Sequence, residues 1–292
     1  MNFLRFKWFY FLISALIILP GVYSLTRFGL RLSVDFTGGT LLELQFGGEQ
    51  PLVSSDQVKE IFQRENVEII SLQTAGEKEF LVRTRPLSEE QRKKIKSSLQ
   101  ESFTEVVILR EETVGPTLGR ELLQKTIVAI FLAAAFIVFY VAWRFKSLRY
   151  GVCAILAMFH DTAVLLGSFS LLGHFLHVEI DTLFVTAVLT TLSLSVHDTV
   201  VIYDRIREIV RENPGFDFGV SVNLALSETL VRSINNSLTI IFVLLALLLL
   251  GGETIKWFVA ALLIGTISGT YSSTFIASPL LVVWESVGRR LK

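Results

Sequence analysis

The sequence predicts a membrane protein of helical class: a six-helix transmembrane bundle with a small α+β, ferredoxin-like extracytoplasmic domain between helices 1 and 2. Three observations carry that prediction. Of 292 residues, 51% are hydrophobic and only 18% charged, whereas soluble domains carry about a quarter charged residues. Six apolar runs approach or reach the ~20 residues that cross ~30 Å of hydrocarbon as a helix. One stretch, 27–121, is instead charge-rich and alternates short strand-like and helix-like patterns. The formal net charge of zero gives no electrostatic reason to expect nucleic acid. A single cysteine, Cys153, excludes an intrachain disulfide framework and a multi-cysteine metal site, and reads as a small buried filler.

The first apolar run, Trp8 to Leu25, follows Arg5 and Lys7. A basic start and Val22-Tyr23-Ser24 also fit a cleaved signal peptide, but the run is long for one, and an anchor helix is preferred. Residues 1–26 are therefore read as a cytoplasmic N-terminus and helix 1. In the 27–121 domain, strand-like 40–46 precedes a helix over 54–65, with Val58, Ile61 and Phe62 on one face and Ser54 or Ser55 as N-cap. Strands over 67–73 and 79–84 follow, joined by a turn at Ala75-Gly76. A second helix starts after Pro86, with Ser88 as N-cap and Gln91 at the capping-box position, and repeats Ile95, Leu99 and Phe103. Residues 105–109 close the unit. The order β-α-β-β-α-β is that of the split βαβ sandwich.

Residues 122–292 contain the remaining spans: 122–143, 151–172, 182–203, 238–250 extended by 233–237, and 255–284. A loop at 204–235 holds a turn at Asn213-Pro214-Gly215. Phe218, Val222, Leu226 and Leu230 then recur every four residues, as an interfacial amphipathic helix places them. Lys and Arg set the orientation. Two lie at the amino end, three in 144–149, four in 204–235 and three in the tail, against one, Lys256, in loops 173–181 and 251–256. Both termini are predicted to be cytoplasmic. The 13 Lys and Arg of 27–121 do not oppose this, because long translocated domains escape the rule.

The fourth span holds Asp198 beside His197, and the third holds Asp161 beside His160. Intramembrane carboxylates are costly, face the bundle interior and by default suggest function. Asp198 precedes Asp204 by six residues, about 9 Å of helix rise, which puts it below the cytoplasmic surface. A carboxylate that burial and a nearby Arg perturb in opposite senses can change protonation as geometry changes. Arg232, at the cytoplasmic end of the fifth span, could supply that cation if spans three, four and five are neighbours. Each group also has a plain reading: Asp198 and Asp161 as polar glue between helices, Arg232 as a snorkelling anchor, the two His as packed polar residues on a different face from their Asp. Gly265 and Gly269 form a GxxxG pattern that permits close helix approach. Gly38-Gly39 reads as a turn that needs positive φ.

Several stretches together resemble one family. Val34-Asp35-Phe36-Thr37-Gly38-Gly39-Thr40, Val114-Gly115-Pro116, the run His197 to Glu208, Val231-Arg232-Ser233-Ile234-Asn235-Asn236-Ser237 and the run Gly269 to Ala277 fall, in order, where the SecF family has its motifs. That family is the smaller half of the bacterial SecD/SecF accessory complex. The resemblance implies the resistance-nodulation-division fold and a place in the bacterial inner membrane. It implies SecD as partner, with YajC and YidC as further associates. It also implies assistance to the SecYEG channel, in which the proton-motive force draws unfolded preprotein across. No organic cofactor or metal is implied; protons are the coupling ion. The family's proton-transport Asp and Arg fall on Asp198 and Arg232, with Asp161 a secondary candidate. Asp35, Phe36, Thr37, Gly38, Gly39, Gly115 and Pro116 carry the signature, with Gly265 and Gly269 as structural glycines. The sequence departs at His197, where the family usually has Asn.

Three other classes compete. An intramembrane aspartyl protease would pair Asp161 with Asp198 or Asp204, but the Gly-x-Gly-Asp motif is absent, and the chain is not expected to be an enzyme. A small-molecule exporter of the same superfamily would need a larger capturing domain than ~95 residues. A passive scaffold would give the acids no proton role.

Overall fold

The structure, a computed structural model, describes residues 3–47, 53–74, 78–103, 105–145 and 147–290. The turn expected at Ala75-Gly76 and the cations Lys146 and Lys292 lie outside them. The chain forms two compact units, one from residues up to Arg31 together with Val128 onward, the other from Leu32–Ile127.

After α1 (Lys7–Arg27) the chain enters the second unit through one helical turn, α2 (Val34–Thr37). There follow β1 (Gly39–Phe46), α3 (Ser55–Arg64), β2 (Ile69–Thr74), β3 (Glu79–Thr84), α4 (Glu89–Ser102) and β4 (Val106–Val114). The sheet is antiparallel with order β2-β3-β1-β4. This is the β-α-β-β-α-β arrangement read from the sequence. Both helices begin at complete capping boxes, Ser54 with Gln57 and Ser88 with Gln91, which satisfy two of the orphan N–H groups at each start. Leu42, Leu44 and Phe46 alternate along β1 and bury against Val58, Ile61 and Phe62 of α3 and Ile95 and Leu99 of α4. Burying each such side chain contributes about 1.5–3 kcal/mol. The last strand was expected over 105–109 and instead continues to Val114, because β1 offers it a partner as far back as Gly39.

The glycine signature is an interlock. Gly38 and Gly39 have φ of 75° and 142°, values that a side chain disfavours. A Cβ on Gly38 would stand 2.7 Å from the Cα of Pro116, the first residue of α5 (Pro116–Phe145). One on Gly119 would stand 2.9 Å from the Gly38 nitrogen. The turn before β1 thus presses backbone to backbone on the first turn of α5, with Pro116 at the position where its missing N–H costs nothing. Ser33 caps α2 by accepting from the Asp35 nitrogen at 3.2 Å, and Phe36 is buried.

The other unit holds α1, α6 (Leu148–Leu176), α7 (Thr182–Glu212), α8 (Phe218–Leu250), α9 (Glu253–Ser272), a π-helical turn (Ser273–Ala277) and α10 (Ser278–Arg290). Among the described residues six helices are long and apolar enough to cross a membrane; the last of them runs Thr254–Val287 through the π turn. Within their apolar windows, 44% of α6 and of α7 and 56% of the last span are buried, against 6% of α5. The helices that carry the polar groups are therefore the inner ones.

Two segments differ from expectation. The amphipathic run from Phe218 is not a separate interfacial helix: it continues into the fifth span as one helix, α8. No Gly or Pro occurs between Val220 and Leu250, and Ser237 returns its hydroxyl to the Ser233 carbonyl, so nothing breaks the helix. Similarly α7 runs on past Tyr203 to Glu212, held by Arg205 to Glu228 and by Arg144 to Asp204 at 2.8 Å. The segment 204–235 is thus two helix ends joined by a turn at 213–217.

Two intramembrane carboxylates as the candidate functional site

The inner helices touch where side chains are small. A Cβ on Gly269 would lie 3.2 Å from the Ser195 Cα, and one on Gly265 would overlap the Thr191 side chain, so α9 lies directly on α7. Gly21 of α1 meets Gly167 of α6 in the same way, at 3.0 Å. Such close approach lets short hydroxyl side chains reach across from helix to helix.

Asp161 of α6 is 4% exposed. Ser195 of α7 donates to its Oδ2 at 2.5 Å, and Ser272 of α9 to the same oxygen at 2.6 Å. Ser268 donates to Oδ1 at 2.6 Å, and His160 Nδ1 lies 3.0 Å from that oxygen. Each oxygen has two partners, so the carboxylate's four acceptor positions are filled. Hydrogen bonds to a charged group contribute about 1.5–3 kcal/mol apiece, which is how a buried acid is tolerated here. The sequence placed His160 on a different face from Asp161. The ring nevertheless turns back to bond it, and its Nε2 reaches Ser14 of α1 at 3.0 Å.

Asp198 is different. It is partly buried and accepts from Ser233 of α8 at 3.0 Å. It lines a cleft of about 380 Å³ with His197, Asn236, Ser237, Thr266 and Thr270. Thr270 donates to Ser237 at 2.6 Å across the same cleft. A carboxylate beside hydroxyl and amide groups in a cavity of this size can exchange a proton with water.

Arg232 stands one residue before Ser233, exposed, and among the described residues it makes no hydrogen bond or ion pair with Asp198. The structure therefore sets Asp161 against Ser195 of α7, with Asp198 three residues further along that helix, and leaves Arg232 outside both. Asp204 is spent on Arg144. The partners of Asp161 are serines and a histidine rather than a second acid, so the shared-proton dyad of an aspartyl protease is not formed. Cys153 is buried.

Sequence reasoning missed the serines. A signal existed: Ser233 and Ser237, Ser268 and Ser272, and Thr191, Ser195 and Thr199 each recur at four-residue spacing, which lines one helix face with hydroxyls.

Comparison with known proteins gives the fold a family. The protein export membrane protein SecD/SecF C-terminal family matches residues 94–287, and the SecD/SecF GG motif matches residues 23–48. Protein translocase subunit SecF of Thermobaculum terrenum is 44% identical over 97% of this chain and 93% of its own length. That of Anaerolinea thermophila is 38% identical over 98% of this chain and 94% of its own. The crystal structure of SecDF, a translocon-associated membrane protein from Thermus thermophilus, superposes with a TM-score of 0.87 at 32% identity over 98% of this chain. This chain spans 39% of that longer one. The GG motif is the glycine interlock, and the C-terminal match covers both carboxylates: the chain belongs to the SecD/SecF family of protein-export membrane proteins.

Proposed function

We propose that this multi-pass membrane protein is the smaller subunit of a Sec accessory complex, in which movement of protons at Asp198 drives the completion of preprotein export. Asp198 carries the reading: a partly buried carboxylate halfway along an inner helix, held by Ser233 and open to a polar cleft. Such a group is costly unless it is used. The SecDF chain, which joins a SecD and a SecF in one polypeptide by name, supports a SecD-type partner. The SecYEG channel, YajC, YidC and unfolded preprotein complete the assembly. Its place is the bacterial inner membrane, with both termini cytoplasmic as the cation distribution requires. Arg232, exposed in this conformation, would meet Asp198 in another state of the cycle. The protein catalyses no bond-making reaction.

The test is Asp198→Asn in vesicles that carry the co-subunit and the channel, with an imposed proton gradient. The variant is expected to insert and pair normally and to lose the gradient-dependent stimulation of export. Export at the wild-type level would sink the proposal in favour of a passive scaffold. Drug efflux by the wild type in the same vesicles would favour a small-molecule exporter.

A further inference from the structure

We propose that His160 and Asp161 act together as a second proton-holding pair, filled and emptied from the Asp198 cleft through the hydroxyl of Ser195. The inference rests on the proton-coupled reading above and extends it to α6.

In the resting state of this proposal Asp161 is ionised. An ionised carboxylate only accepts, so all four partners donate, and Nδ1 of His160 carries its proton. In a neutral ring Nε2 is then bare and accepts from the hydroxyl of Ser14, 3.0 Å away on α1. Among the described residues no Lys or Arg bonds to Asp161. The resting pair therefore holds one negative charge inside the membrane, and one proton neutralises it. The proton resides on Asp161 beside a neutral imidazole, which changes the pair from −1 to 0.

The route is short. Among the described residues Ser195 alone both lines the Asp198 cleft and donates to Asp161. Its O–H proton passes to Asp161 Oδ2 while a hydrated proton in the cleft replaces it on Oγ, so one proton moves and no other bond changes. Ser14 belongs to α1, so the His160 ring ties Asp161 to that helix. Other ionisable groups around the pair do not replace it. Tyr271 of α9 stacks on His160 at 6.2 Å and donates its hydroxyl to the Tyr10 carbonyl of α1. His197 and Asp198 of α7 lie on the cleft, Tyr203 of α7 bonds the Ala277 carbonyl, and Glu285 of α10 is paired with Arg149.

The test uses the full chain with its co-subunit in lipid nanodiscs, with nitrogen-15 histidine and carbon-13 aspartate labels read by NMR. One signal, assigned by its loss in His160→Gln or Asp161→Asn, is expected to report the gain of one proton on acidification, and to do so in Asp198→Asn as well. If neither signal titrates, the proposal is overturned. In proteoliposomes, gradient-driven proton flux is expected to fall about a hundredfold in Ser195→Ala and in His160→Gln, the size of a lost proton-transfer group. Wild-type flux in both, with Asp198→Asn blocked, overturns this inference and leaves the proton-coupled reading standing. Wild-type flux in Asp198→Asn too removes the reading on which it rests.

Discussion

Ser195 and Asp198 stand one turn apart on α7, yet serve different sites: Ser195 donates to Asp161 toward α6, while Asp198 accepts from Ser233 on α8. Residues three apart share a helix face, so a rotation of α7 that moves one acid's environment moves the other's. The two carboxylates are mechanically joined without touching.

The serine cage around Asp161 should be separable from the rest of the bundle. Ser272→Ala removes a 2.6 Å bond to a buried acid and is expected to cost about 1.5–3 kcal/mol of stability. Ser168, whose hydroxyl bonds only the Val164 carbonyl on its own helix, is the control: Ser168→Ala should stay within about 0.5 kcal/mol. Denaturant unfolding in mixed micelles reads both, and equal midpoints for the two variants would remove the cage as a stabilising feature.

The α7–α9 contact predicts a rescue. Gly265→Ala drives a methyl into the Thr191 side chain and is expected to destabilise by about 1–3 kcal/mol. Adding Thr191→Ala removes the γ-methyl and hydroxyl that meet it but leaves the Thr191 Cβ close by. The double variant should therefore recover part of the loss and not all of it. Additive losses in the pair would show that the two residues are not in contact.

Much of this architecture could be read in the chain, and what could not was lost for definite reasons. The spans announce themselves by length, and Ser54 and Ser88 announce their helices, because capping is a local event. The end of β4 depends on Gly39, about seventy-five residues away, which no window around Val114 contains. The weight of Asp161 is not legible locally, because an acid's worth depends on its neighbours, and those neighbours are serines on two other helices. Nor is the reach of His160, because helix geometry fixes where Cβ points, not where a ring at the end of two rotatable bonds arrives.

The glycine interlock sets a test on the Leu32–Ile127 unit. Gly38→Ala places a Cβ 2.7 Å from Pro116 at a φ of 75° and is expected to cost about 1–3 kcal/mol in backbone strain. Gly29 also has a positive φ, 71°, but open space around it, so Gly29→Ala carries strain without the clash and should cost less. Denaturant unfolding of the intact protein ranks the two, and the reverse order would refute the interlock.

Glu111 on β4 gives the Leu32–Ile127 unit an acid-sensitive tie to α4. A hydrogen bond from Lys96, with help from Arg92 at 3.2 Å, holds its carboxyl below the ordinary glutamate value despite the opposing effect of burial. The folded state thus binds this proton less readily than the unfolded chain. Its stabilisation is present in full above the unfolded value, near 4.5, and is lost as pH falls through the lower folded value. Glu111→Gln should therefore destabilise at pH 7 and converge with the wild type in strong acid. A constant difference across that range would exclude the tie.

The π turn in the last span rests on one hydroxyl. Tyr203 is wholly buried, and its OH donates to the Ala277 carbonyl at 3.1 Å, the last residue of the π turn. Two residues on, Pro279 has no N–H to offer and its ring crowds the carbonyl four places back, Phe275, inside that turn. The widened turn accommodates the proline, and Tyr203 bonds the carbonyl at its end. Ser272, one residue before the turn, bonds Asp161, so the turn also fixes the register of the cage. Tyr203→Phe keeps the ring contacts with Phe145 and Tyr150 and removes only the donor. It is expected to cost about 0.5–1.5 kcal/mol, the net worth of one intramolecular hydrogen bond. Amide exchange over residues 273–282 should rise in the variant while exchange at the α1–α6 crossing stays unchanged. Unaltered protection around the π turn would mean that the proline and the backbone alone hold it.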